Sequence, residues 1–261
     1  MCLHPGNTSE QLTAVPLEKE VLKMIPGSKF IYCADAGLGS YNIRKFNSMG
    51  GRAFIITQSI KKLSDILKKA VFNDFDYKLL SDDSPVTIKE MKHFDRHAPD
   101  NLALYQDCAY KVIAADKALD LGLYEDVALK NGRTVQRKAK GVLKQRIIVT
   151  FSRKMMEYQR AVRNRQIERA KKLLALKDPE EIKKGPNDVR RFMKRVSKTK
   201  TGENAVVEYV LDESKIAEEE KYDGYYAVAT NLADPAKDIL AVSQKRYQIE
   251  ECFRIIKTNF D

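Results

Sequence analysis

The apolar positions fall in short, punctuated runs. Residues 29–34, Lys-Phe-Ile-Tyr-Cys-Ala, follow Pro26-Gly27-Ser28 and predict a buried strand. Residues 53–57, Ala-Phe-Ile-Ile-Thr, predict a second one after Gly50-Gly51. The stretch between them, 40–49, has helical spacing, so the three elements form a βαβ unit with parallel strands. Further along, 59–70 reads as helix, 89–97 as a mixed polar segment and 145–151 as a strand. Ser152 then caps a long basic helix reaching about residue 177, where Asp178-Pro179 ends it. Residues 187–195 predict a short helix, 205–211 and 224–230 two more strands, and Asp234-Pro235 opens a final helix to about residue 257. At the front, 17–24 is helical with Thr13 as a candidate cap.

Composition adds the class of partner. The 261-residue chain is 43% hydrophobic, enough for a real core in one large domain or a core with an insertion. No apolar run reaches the roughly 18 residues of a membrane span, and the N-terminus has no secretory signal pattern. The four cysteines are far apart, without a Cys-x-x-Cys pair, which argues against a zinc site and fits a reducing cytoplasm. His93 and His97 have helical spacing but no further ligands at hand, so a surface role is expected. The net charge is +11, and residues 130–200 alone hold 24 Lys/Arg against 6 Asp/Glu. That segment is +18 and the remainder −7, the asymmetry of a polyanion-binding element attached to a separate core.

Three places can carry chemistry. Asp35 ends the first strand, where open α/β sheets place ligands. The glycines of Ala36-Gly37-Leu38-Gly39 suggest a nucleotide loop, although Asn42 takes the third glycine position of the dinucleotide fingerprint. Asp35 can equally cap the following helix, or bind a divalent ion. In the final helix Arg246, Glu250 and Lys257 lie within about 40° on one face at ~100° per residue. They form either a solvated ion pair or an acid for a metal flanked by cations for phosphates. The basic helix offers Arg153, Lys154, Arg160 and Arg163, then Arg165, Arg169, Lys171 and Lys172, for phosphate contact.

Arg246-x3-Glu250-x6-Lys257 resembles the Tyr-Arg-Glu-Lys signature of bacterial DDE transposases of the insertion-sequence-four type. Residues 34–38 (Ala-Asp-Ala-Gly-Leu) are similar to that family's second-aspartate segment. Residues 222–226 with Thr230-Asn231 resemble the strand before its glutamate helix. Residues 5–10 resemble a segment the family carries between its first two aspartates.

The resemblance implies an α/β, ribonuclease H-like core, N-terminally incomplete, over 1–57 and 223–261, with a large basic mixed α/β insertion over 58–222. It implies Asp35 and Glu250 as catalytic, metal-binding carboxylates for two Mg²⁺ or Mn²⁺ ions, and hydrolysis and strand transfer on double-stranded DNA. Arg246 and Lys257 become phosphate contacts, and Ser243 stands where the signature has tyrosine. The family's first aspartate has no counterpart here, so the chain is expected to be inactive alone. The expected setting is the bacterial cytoplasm, at the nucleoid. The partners are transposon-end and target DNA, and either a second copy or full-length transposase. The alternative is a non-catalytic protein that binds DNA or pairs with transposase.

Overall fold

The computed structural model describes residues 10–130, 132–175, 188–198 and 206–246. Among them the fold is mixed α/β, with eleven strands and eight α-helices. In chain order the first half has α1 (Glu10–Met24), β1 (Phe30–Ala34), α2 (Tyr41–Phe46), β2 (Arg52–Thr57), α3 (Asp65–Phe72), β3 (Tyr77–Leu79), β4 (Pro85–Val86), α4 (Ile88–His93), α5 (Leu102–Gln106) and β5 (Ala109–Ala114). The second half has β6 (Tyr124–Ala128), β7 (Thr134–Lys138), β8 (Arg146–Phe151), α6 (Arg153–Leu174), β9 (Met193–Lys198), β10 (Val206–Leu211), α7 (Glu213–Glu220), β11 (Tyr225–Thr230) and α8 (Ala236–Gln244). None of these helices is long and apolar enough to cross a membrane.

The chain divides into two compact units. The first is Met1–Asp95, Asp107–Thr150 and Tyr226–Asp261, and the second is Arg96–Gln106 with Phe151–Tyr225. The division differs from the expected insertion over 58–222. Residues 58–95 and 107–150 belong with the main sheet, because β3, β4, β5 and β8 extend it, while β6 and β7 pair as a separate ribbon.

In the first unit a seven-stranded mixed sheet runs β1-β2-β11-β8-β5-β3-β4. β1 and β2 are parallel, with Phe30 opposite Arg52 and Ala34 opposite Ile56, as the βαβ pattern predicts. β11 joins antiparallel on the other side of β2. β2 is fully apolar inside, with Phe54, Ile55 and Ile56 at most 2% exposed. β1 departs from the expected buried strand. It lies at the sheet's border, and Ile31 and Cys33 are exposed.

One face of the sheet is closed by α8. Ala236, Ile239 and Leu240 pack on Ile55, Ile148 and Val228. Pro235 stands at the helix's N-cap, where the missing N–H costs nothing. Asn231 locks this corner: its Oδ1 accepts from the Phe54 N–H at 2.9 Å and its Nδ2 donates to the Asn47 carbonyl at 3.3 Å.

The second unit is built on α6. Ser152 caps it as expected, accepting from the Met155 N–H. Its inward face is Met156, Arg163 and Ala170, seven residues apart and all buried. Ala170 joins Phe192, Met193 and Ile216 in a small core with Tyr209 and Leu211. β9 and β10 pair as an antiparallel ladder, so part of the expected helix over 187–195 is strand, preceded by a short 3₁₀ turn at Val189–Phe192.

Candidate functional site

The parallel pair β1 and β2 delivers Asp35 and Thr57 side by side at its C-terminal end. Asp35 precedes a 3₁₀ turn, Ala36–Leu38, but its side chain makes no capping hydrogen bond. Its carboxylate instead receives the Arg246 guanidinium from a residue 211 positions later. Arg246 follows the end of α8 and also donates to Thr57 Oγ1 at 3.1 Å and the Ala34 carbonyl at 3.4 Å. Thr57 Oγ1 in turn lies 2.8 Å from the Tyr226 hydroxyl.

Three strand ends and one helix end therefore meet at a single acid. The Asp35 side chain is 64% exposed and that of Arg246 only 17%. The guanidinium is packed into place, while the carboxylate faces solvent.

Of the other residues expected at this site, Glu250 and Lys257 lie outside the described residues. Ser243 is buried on the inward face of α8, so it does not stand on a surface that DNA could touch. Among the described residues no group of three or more His, Cys, Asp or Glu side chains converges on one point. Asp35 supplies one hard oxygen donor, already engaged by a cation. The described residues therefore do not hold a divalent ion by themselves.

Comparison with protein-family models, curated proteins and solved structures finds no match to this chain.

The basic helix separates by face. Arg163 points inward, where its two Nη atoms donate to both Asp223 carboxylate oxygens at 2.7 and 2.6 Å. Both side chains are 5% exposed. Arg163 is therefore a packing residue and not the DNA contact expected, because a guanidinium sealed against a carboxylate cannot reach a phosphate. Arg153 is likewise drawn onto Glu157 at 2.7 Å and largely covered.

Arg160 stays half exposed, 3.4 Å from Asp223, and Lys154 is exposed. With it on one face, within about 60° at ~100° per residue, lie Tyr158, Arg165, Arg169 and Lys172, all exposed. This is a cationic stripe with an aromatic ring in it, a combination that suits a nucleic-acid backbone.

Asp223 and Gly224, quoted above for their resemblance, owe their identity to packing. Gly224 has φ +81°, and a Cβ there would sit 2.7 Å from Phe151 Cε2 and 2.8 Å from the Ser152 carbonyl. Residues that motif reading missed are Thr57 and Tyr226, at ordinary strand positions, and a buried group around Arg44. No local pattern marks that group, since its members come from distant segments.

Proposed function

We propose that this chain is a transposase polypeptide of the DDE type, with a ribonuclease H-like core that binds transposon-end DNA. One observation carries the reading. The first residue of the Arg-x3-Glu-x6-Lys signature, Arg246, meets the aspartate of the Ala-Asp-Ala-Gly-Leu segment, Asp35. A pairing of two motifs far apart in the chain is what a shared site requires, and a solvated helix face does not require it. The parallel β1-β2 pair, and a helix, α8, following β11, fit the same core.

In this reading Asp35 and Glu250 are the carboxylates for Mg²⁺ or Mn²⁺, which would polarise the scissile phosphate and activate the attacking hydroxyl. Arg246 holds Asp35 in place and reaches a DNA phosphate when the ion takes over that carboxylate, while Lys257 and the exposed cations of α6 hold DNA phosphates, in the bacterial cytoplasm at the nucleoid. The second reading, a DNA-binding protein that pairs with complete transposase and does no chemistry, draws on a specific observation. Among the described residues no group of three or more His, Cys, Asp or Glu side chains gathers around Asp35.

Fluorescence anisotropy with matched terminal-repeat duplex, titrated with salt, tests both readings. Affinity should fall with a log–log slope of about −0.9 per phosphate neutralised. Salt-insensitive or absent binding overturns both. Metal-dependent nicking lost in Asp35→Asn and Glu250→Gln selects the enzyme. Binding without nicking selects the second reading.

A further inference from the structure

Beside Asp35 lies a polar pocket of about 200 Å³, lined by Ser40, Arg44, Thr57, Gln58, Ser59 and Lys62 among others. Among the described residues no carboxylate lines it. Arg44 is its unusual member. The side chain is 1% exposed, and its hydrogen-bond acceptors are neutral: the Gly39 carbonyl at 3.0 Å, Gln145 Oε1 at 3.0 Å and Gln58 Oε1 at 2.8 Å, with the Phe54 ring beneath it. A guanidinium has five N–H donors, so these three bonds leave two unused. Burial pushes the Arg44 pKa down to about 9, the mark of a cation stripped of water and given no counter-charge.

A second observation points the same way. Ser40 is 8% exposed, and its Oγ is buried with no hydrogen-bond partner. A buried hydroxyl left unmade costs about as much as a lost hydrogen bond, so its persistence beside an uncompensated cation calls for a ligand. Gly39 packs closely on the guanidinium: a Cβ there would sit 3.3 Å from Arg44 Nη2 and 2.7 Å from Ile56 Cγ2. Lys62, exposed at the rim, adds a second cation.

We propose that this pocket is a binding site for a phosphoryl oxyanion. Arg44 and Ser40 donate to it from the floor and Lys62 supplies charge from the rim. The pocket has room for one phosphate group. Free phosphate and a DNA phosphodiester both present at least two unesterified anionic oxygens, so both are occupants of the one chemistry. The inference stands on the pocket alone and does not require the transposase reading.

Isothermal titration of the full chain with inorganic phosphate, at ionic strength held constant with chloride, tests it. Saturable binding of one phosphate per chain is expected. Ser40→Ala should weaken it about tenfold, the effect of one hydrogen bond to a charged group. Lys62→Ala should weaken it about threefold, as suits a rim charge, and Arg44→Met should abolish it.

Ser40→Ala and Lys62→Ala change small or exposed groups, so they decide the matter even if Arg44→Met does not fold. Absent or non-saturable heat, or binding indifferent to both of those variants, overturns the site. A short duplex that displaces the bound phosphate identifies a backbone phosphate as occupant. A duplex that does not displace it identifies free phosphate or a small phosphorylated molecule. Failure here is separate from failure of the transposase reading, since the titration contains neither DNA nor metal.

Discussion

Among the described residues two arginines are buried, one in each compact unit, and they are solved in opposite ways. Arg163 is met by both oxygens of Asp223, and the pair is closed off from solvent. Arg44 is equally buried but is met by no carboxylate: its partners are a carbonyl, two side-chain amides and the Phe54 ring, 5.7 Å from the guanidinium carbon. Burial alone does not separate a packing cation from a binding one. What separates them is whether the counter-charge is covalently part of the chain.

The sharpest way to break the comparison is to strand Arg163. Asp223→Ala should cost about 3 kcal/mol in chemical denaturation, because the buried guanidinium loses its bidentate partner and keeps only half-exposed Glu220 at 3.4 Å. A loss under 1 kcal/mol would mean that the pair is not sealed in solution.

Arg44→Met should cost less, about 1–2 kcal/mol without added anion. The acceptors left behind are amides beside a polar pocket, where they can be rehydrated. A loss equal to that of Asp223→Ala would erase the distinction drawn here.

A buried acid extends the comparison. Glu18 on α1 is 5% exposed. Its Oε2 accepts from Asn47 Nδ2 at 2.7 Å, and its Oε1 has no partner. Burial holds its carboxyl above the ordinary 4.5, only partly offset by Asn47 and Arg52. A raised carboxyl pKa means that the folded state binds the proton more tightly. Its contribution is thus present below pH 4.5 and lost as pH rises through the shifted value. Glu18→Gln should therefore stabilise by about 1 kcal/mol at pH 8 and by nothing below pH 4.5. Thermal melts across that range check it.

The smallest effect belongs to the site itself. Asp35→Asn should change stability by under about 1 kcal/mol, since the carboxylate of its pair with Arg246 is largely solvated. A large loss would make that pair a piece of architecture.

Which parts of this were legible in the sequence follows from what each signal depends on. β2, β8 and β11 are continuous apolar runs, and α6 has a capping serine and a steady period, so each could be read locally. β3, β4, β6 and β7 are short and polar or only weakly alternating, and they form because neighbouring strands offer them an edge. Arg163 could have been placed from its seven-residue spacing to Met156 and Ala170, but the charge of its surroundings in the chain hid that. The meeting of Asp35 with Arg246 was legible only through motifs. The group around Arg44 was not legible, because Gln58 and Gln145 reach it from just beyond β2 and just before β8, which no local rule connects.

Gly39 has a consequence for how this molecule can diverge. Its missing side chain is the gap that lets the turn after Asp35 lie against the Arg44 guanidinium. Any larger residue there would lift the turn, shifting the acid and uncovering the cation in one event. Drift at positions 35, 39 and 44 should therefore be concerted, and a descendant that abandons one of the three would be expected to abandon all.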